Sequence, residues 1–383
     1  MKQGKETAMV QAGFTAENLL RVAKRQNNNK RKYILVNPWQ GKHMPVSPAL
    51  ALSMMQALGE KVADRYGETR LVIGFAETAT AIGAVVANAV SEKCIYLQTT
   101  REELHVAHVD FLEEHSHAPE QTMVTEKLEE WLEHTSTVVF VDDEISTGKT
   151  LCNIVARLKA EFPALSEKKL VAASILNRLS PEDENRLNSV GLISECLVKL
   201  PQDDYTALVE KFQTREAVSA DSKDSTYERR MVCMKHNPRW GTVIGEYFCE
   251  WERHADEIIC QLSLDYKADT LVLGTEECML PGMIFGRALE KRGIKVFFHA
   301  TTRSPISICE ELGYPIRNGW EISSLYDSAG SRRNYIYNLR AYPQVVILSD
   351  TALSEEKRIQ GLLGALQENG CDKFFFIGRR GDV

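Results

Sequence analysis

Short apolar runs recur along the chain, each bounded by polar or small residues, and longer segments with apolar positions at helical spacing lie between them. Tyr33-Ile34-Leu35-Val36 is the first such run, and the spacing over 48–65 predicts a helix. Leu71-Val72-Ile73-Gly74 predicts a strand that enters a loop of small residues and then a helix over 81–90. Further strands are expected at 94–97, 138–141 and 170–176, with helices between them. Strands that are apolar throughout are buried on both faces, so this alternation predicts a parallel sheet covered by helices on both sides. From Pro201 to Tyr227 the pattern breaks into polar, irregular sequence, which predicts a linker or a surface excursion.

A second periodic region begins near Trp240 and echoes the first. Leu71 to Gly74 followed by Glu77 matches Leu271-Val272-Leu273-Gly274 followed by Glu277. The next strand ends in Thr99-Thr100-Arg101 in one half and in Thr301-Thr302-Arg303 in the other. Val138-Val139-Phe140-Val141-Asp142-Asp143 is answered by Val345-Val346-Ile347-Leu348-Ser349-Asp350. Three matches in one order, with offsets drifting only from 200 to 207, predict a duplicated α/β unit. The expected organisation is an N-terminal extension over 1–32, a first domain over 33–200, a linker over 201–235 and a second domain over 236–383.

The run from Val138 to Thr150, VVFVDDEISTGKT, carries the clearest chemistry. A buried strand, two carboxylates at its carboxyl end, and a short turn ending in Gly148 before a helix place these residues where open parallel sheets bind ligands. The free N–H groups of Ser146 to Thr150 at the start of that helix favour an anion such as a phosphate monoester. Gly148 permits close approach of the backbone, and Ser146, Thr147 and Thr150 add hydroxyl donors. Ionised Asp142 and Asp143 only accept hydrogen bonds, which suits two vicinal hydroxyls. A phosphate above and a diol below describe a ribose 5-phosphate. Two other readings stand beside this one. Gly148-Lys149-Thr150 imitates the end of a nucleotide P-loop, but Asp143 occupies the position where that motif needs its first glycine. Two acids capping a helix is the purely structural alternative. The echo at Thr351 to Glu356 has no glycine and adds two carboxylates, so it is not expected to hold a phosphate.

Composition narrows the classes. With 383 residues, 44% hydrophobic and 26% charged, the chain has material for the cores of two domains. No apolar run is long enough to span a membrane, and the first residues lack a signal-peptide pattern, so the expected location is the cytoplasm. Nine scattered cysteines, an odd number without a CxxC pair, predict neither a disulfide framework nor a zinc site. A net charge of −7 speaks against nucleic acid as the main partner, despite the basic stretch at 24–32. An anionic substrate must then be held locally, by backbone amides and a few placed cations.

The run at 138–150 resembles the 5-phosphoribosyl-1-pyrophosphate (PRPP) motif of type I phosphoribosyltransferases. Asp142, Asp143, Ser146, Thr147, Gly148 and Thr150 fall on its defining positions, and Lys149 departs from the small or hydroxyl residue usual there. The resemblance implies a loop after an earlier strand that binds pyrophosphate, for which Ala76, Glu77 and Thr78 occupy the place. It implies a covering loop, matched by 100–124, where Arg101 would be a pyrophosphate partner. That stretch also holds His105, His108, His115 and His117, readable as loop surface, as contacts to the leaving group or base, or as metal ligands. Acceptor recognition would fall to Lys42 and His43, in a hood near the N-terminus, and to Asn177 and Arg178, with His115 and His117 as further candidates. Mg²⁺ would be bound chiefly by substrate oxygens and water.

Thr302-Arg303-Ser304-Pro305 spells the hallmark of the TRSP domain, and the chain resembles a bacterial phosphoribosyltransferase family of tellurite-resistance gene neighbourhoods that pairs these two domains. That resemblance implies synthesis of a nucleoside-like metabolite from PRPP and a small-molecule acceptor, with a homodimer as one assembly common to the fold. In the second domain, Glu277, Thr302, Arg303 and Ser304 mark either a second ligand site or domain packing. Two other functions fit the same motif: a PRPP-sensing regulator without turnover, and a ribose-phosphate pyrophosphokinase.

Overall fold

The computed structural model describes residues 13–26, 32–103, 106–111, 121–221, 225–327, 331–351 and 357–380. The chain forms two compact units: one from 52–202 with 235–250, the other from 1–51, 203–234 and 251–383. It passes between them four times, within the helices Pro48–Tyr66 and Ile244–Ile259 and also between 202 and 203 and between 234 and 235. Among the described residues, no helix is long and apolar enough to cross a membrane.

The first unit contains a six-stranded sheet in the order Thr242–Val243, Ile95–Gln98, Leu71–Gly74, Thr137–Ile145, Lys169–Asn177 and Leu192–Lys199. All neighbours are parallel except the Thr242–Val243 edge, which runs antiparallel to Ile95–Tyr96. The central strands are apolar because helices cover both faces, and one core gathers Leu71, Ile73, Val138, Phe140, Leu151, Val155, Leu170 and Leu187. In the covering stretch the sequence shows no strand pattern, yet His108–Phe111 and Gln121–Val124 pair as an antiparallel hairpin. Their four-residue lengths give too little periodicity to register in sequence.

The second unit repeats the plan. Five parallel strands follow the order Glu228–Val232, Phe374–Arg379, Gln344–Ser349, Thr270–Gly274 and Val296–Ala300. An antiparallel pair, Gly319–Ser323 with Arg333–Tyr337, answers the hairpin of the first unit. The echo extends to individual bonds. Phe75 N–H donates to Val141 O, and Thr275 N–H to Leu348 O; Thr99 N–H donates to Gly74 O, and Thr301 N–H to Gly274 O. The Thr99 hydroxyl accepts from Ala76 N–H at 2.8 Å, and the Thr301 hydroxyl from Glu276 N–H at 2.9 Å.

These units cut across the boundaries drawn from sequence. The stretch expected as an extension forms the strand Arg21–Lys24, paired with Tyr33–Val36, and both pack in the second unit with Ile306, Ile308 and Tyr337. The stretch expected as a linker supplies Glu228–Val232, hydrogen-bonded to Phe374–Arg379. Each sheet thus draws an edge segment from the stretch leading into the other copy's first long helix: Thr242–Val243 beside Ile95–Tyr96, and Val46 bonded both ways to Phe298.

Candidate functional site

The strand Thr137–Ile145 runs farther than its apolar part predicts and includes Asp142, Asp143 and Glu144. The neighbouring Lys169–Asn177 continues the pairing past Val141, with Asp142 opposite Ser174 and Ile145 opposite Asn177. On the other side, the partner strand ends at Gly74 opposite Val141. Beyond that point the chain turns through Phe75 to Thr78 into the helix Ala79–Val90, so the two carboxylates stand where one neighbouring strand has stopped.

Ser146 to Gly148 make the turn, and the helix Lys149–Glu161 begins at Gly148, whose φ is +67° and which no side chain caps. A Cβ at Gly148 would lie 2.2 Å from Leu187 Cδ1, so this position needs glycine both for its left-handed backbone and for space. Ser146 is half-buried, whereas Thr147, Lys149 and Thr150 are exposed. The helix is anchored by Leu151, Ile154, Val155 and Leu158, while Lys149 and Thr150 of its first turn are exposed.

Burial, followed by the adjacent Asp143 charge, pushes the Asp142 carboxyl well above the usual carboxylate range, although the Asp143 N–H donates to Asp142 Oδ1 at 2.9 Å. The folded protein therefore keeps a proton that the unfolded chain releases between the ordinary carboxylate range and this raised value. Stability from this group is present at low pH and is lost as pH rises through that window. Asp142→Asn is expected to stabilise the ligand-free protein, with an advantage over wild type that widens in urea unfolding as pH rises above the ordinary carboxylate range. A pH-independent difference would contradict it.

Ala76, Glu77 and Thr78 are buried in the loop after Gly74, and the Ala76–Glu77 peptide bond is cis. The Thr99 hydroxyl that receives the Ala76 N–H donates in turn to Gln121 Oε1 at 2.6 Å. Arg101, half-buried, follows Thr100, whose backbone is bonded both ways to Thr122. One strand end thus ties together the small-residue loop and the arginine. Asn177 is occupied structurally: its Oδ1 accepts from Leu179 N–H and Lys199 Nζ. Arg178 N–H donates to Ile145 O, which places it beside the end of the motif strand.

Lys42 and His43 belong to the other unit. His43 is buried, and that burial drives its imidazole well below the usual histidine range, to the neutral form. Its ring stands edge-on to Tyr337. His108 is exposed, with Nδ1 2.6 Å from Val106 O. His105, His115 and His117 lie outside the described residues.

In the second unit, the carboxylate that meets Arg303 is Glu276, with Arg303 Nε at 3.2 Å from Oε2 and the Ser324 hydroxyl at 2.6 Å from Oε1. Glu277 and Thr302 are buried, and Ser304 N–H donates to the Thr302 hydroxyl. Asp350, the counterpart of the motif acids, has the Tyr326 hydroxyl 2.5 Å from its Oδ1, and that hydroxyl is also 3.0 Å from Thr275 O. Tyr326 lies in the connection between the two hairpin strands, Gly319–Ser323 and Arg333–Tyr337. The second copy thus fills its sheet edge with its own side chains. Tyr326 carries no sequence signal, because its partner Asp350 stands just past the end of the strand Gln344–Ser349, far along the chain.

Residues 19–200 match the family model described as "Phosphoribosyl transferase", and residues 246–366 match the model described as "TRSP domain C terminus to PRTase_2". No curated protein matches the chain. Among solved structures it is similar to adenine phosphoribosyltransferase from Giardia lamblia, at 15% identity and TM-score 0.35 over 48% of this chain and 96% of that one. It is also similar to adenine phosphoribosyltransferase from Trypanosoma brucei, at 14% and 0.35 over 51% and 89%. Orotate phosphoribosyltransferase from Aeropyrum pernix gives 14% and 0.32 over 54% and 96%.

Proposed function

The chain is a phosphoribosyltransferase carrying a C-terminal TRSP domain, and from that premise we propose that it moves the 5-phosphoribosyl group between PRPP and a nitrogenous, base-like acceptor. The observation that carries this is the Asp142 to Thr150 run, where an uncapped helix start, a left-handed glycine and two carboxylates adjoin at one sheet edge. The N–H groups of the turn, with Ser146, Thr147 and Thr150, would hold the 5-phosphate. Asp142 and Asp143 would accept from the ribose hydroxyls, and Lys149 would add a cation beside the phosphate. Ala76 to Thr78 and Arg101 would receive the pyrophosphate. As the bond from the anomeric carbon to the pyrophosphate oxygen breaks, the acceptor nitrogen forms its bond to that carbon. Arg101 would stabilise charge gathering on the departing oxygens. Pyrophosphorolysis is the same step reversed.

Mg²⁺, which such a reaction uses to neutralise pyrophosphate, would be held chiefly by substrate oxygens and water. Lys42, His43, Asn177, Arg178, His115 and His117 stay as acceptor-side candidates. This reading carries with it a cytoplasmic location, a homodimer as a possible assembly, and no membrane or nucleic-acid partner. A nucleoside-like metabolite made in a tellurite-resistance setting is the physiological role it fits.

The test is pyrophosphate release from PRPP and Mg²⁺ over a panel of purine, pyrimidine and other heterocyclic bases. Release with at least one base is expected. Binding of PRPP without release from any base would replace this reading with a sensor, and AMP formation from ATP and ribose 5-phosphate would replace it with a pyrophosphokinase.

A further inference from the structure

We infer that Arg239 is a positioning residue for Arg101, holding the strand end that presents it to the leaving-group side of the site. The inference rests on the PRPP reading above and adds a residue from beyond the family match that ends at residue 200.

Arg239 is 5% exposed, and a guanidinium so buried has to be paired. Its Nε lies 3.1 Å from the Thr100 hydroxyl, and its Nη2 lies 2.8 Å from Glu102 Oε1. The guanidinium therefore engages the residues on both sides of Arg101, by a hydrogen bond to Thr100 and an ion pair with Glu102. Glu102 N–H also donates to the Thr100 hydroxyl at 3.1 Å, which closes the small ring of contacts around this bend. One position earlier, Thr99 holds the Ala76 N–H. Fixing 100 and 102 thus fixes Arg101 relative to the loop that would bind pyrophosphate.

The segment delivering Arg239 is itself constrained. Asn237 Oδ1 accepts from the Arg239 N–H at 3.1 Å, and the Glu250 carboxylate accepts from the N–H groups of Lys235 and His236. Gly241, at φ +75°, sits where a Cβ would be 2.1 Å from Trp131, and Thr242–Val243 then joins the sheet. The second copy supplies a comparison. Thr242 is opposite Tyr96, and Val46 is opposite Phe298; Gly83 packs on Tyr96 as Gly282 packs on Phe298. Three residues before each edge position stand Arg239 in one copy and His43 in the other. The copy that closes its sheet edge with Tyr326 and Asp350 has a buried, neutral histidine at this register position. The copy with the intact phosphate run has the permanent cation.

The test uses the full chain and two probes, magnesium pyrophosphate and ribose 5-phosphate, measured by calorimetry. Arg239→Met is expected to weaken pyrophosphate about tenfold and ribose 5-phosphate by less than about twofold, the scale of one lost charge-assisted hydrogen bond. Arg239→Lys should recover only part of the loss. Thr100→Val removes the hydroxyl from the other side of the contact and should reproduce the split, which keeps the inference testable if Arg239→Met does not fold. Unchanged pyrophosphate binding in Arg239→Met and Thr100→Val, or equal loss of both probes, would overturn it. A wild-type chain that binds neither probe would instead sink the PRPP reading beneath it.

Discussion

Gly148→Ala is expected to destabilise the protein by about 3 kcal/mol and to weaken ribose 5-phosphate binding roughly a hundredfold. Two effects combine. A side chain at φ +67° is strained, and the new methyl would lie 2.2 Å from Leu187 Cδ1 in a core that is already full. Relief requires Leu187 to repack against Leu179 or the turn to swing away, and movement of the turn redirects the N–H groups of 146–150. Gly191→Ala is the matched control. It shares a positive φ of +81°, but its nearest contact is the flexible end of Lys159 at 3.3 Å. It should lose some stability to strain and keep its ligand affinity. Urea unfolding and calorimetry on the pair separate the two effects; equal affinity losses in both would mean that Gly148 matters only for folding.

The second large effect is at the acids. Asp142→Asn with Asp143→Asn keeps the size of both side chains but exchanges carboxylate acceptors for amides that also donate. Two charge-assisted hydrogen bonds to a diol would be lost, roughly 3 kcal/mol or more and over a hundredfold in PRPP affinity. Because burial and the Asp143 charge disfavour the ionised form of Asp142 in the ligand-free protein, the double variant should be no less stable than wild type. Weak binding in a well-folded protein is the signature expected of a ligand site. Weak binding with a lower unfolding midpoint would point to the structural alternative, two acids supporting the helix start.

Much of the fold is legible in sequence because the physics behind it is local. Val138 to Val141 reads as a buried strand from four consecutive apolar residues, and Gly148 reads as a turn from its place before a helical pattern. The duplication is legible because three strands keep their order and end in similar residues. Other features depend on contacts distant in sequence. Asp142 to Ile145 stays in the sheet because Lys169–Asn177 runs alongside it, which no property of three acids in a row reveals. The edge segments at Val46 and Thr242–Val243 join sheets through contacts too short to leave a periodic signal. Arg239 is one arginine in the run Asn237-Pro238-Arg239-Trp240, and its burial and its contacts with Thr100 and Glu102, distant in sequence, distinguish it from a surface residue.

The second copy shows how readily such a frame changes use. It keeps the strand order, the Thr301 hydroxyl on the loop N–H and the hairpin, yet Tyr326 lies against Asp350, and Arg303 engages Glu276. Arg303 therefore serves as a partner for a carboxylate that is only 2% exposed. In the first copy the corresponding edge ends in a glycine turn and an uncapped helix.

The central claim is that one copy of the pair binds the sugar phosphate and the other does not. Calorimetric titration of PRPP with Mg²⁺ into the full chain, beside Asp142→Asn with Asp143→Asn, tests it most directly. The account predicts one PRPP bound per wild-type chain and binding lost in the variant. Two molecules per chain, or unchanged binding in the variant, would contradict it.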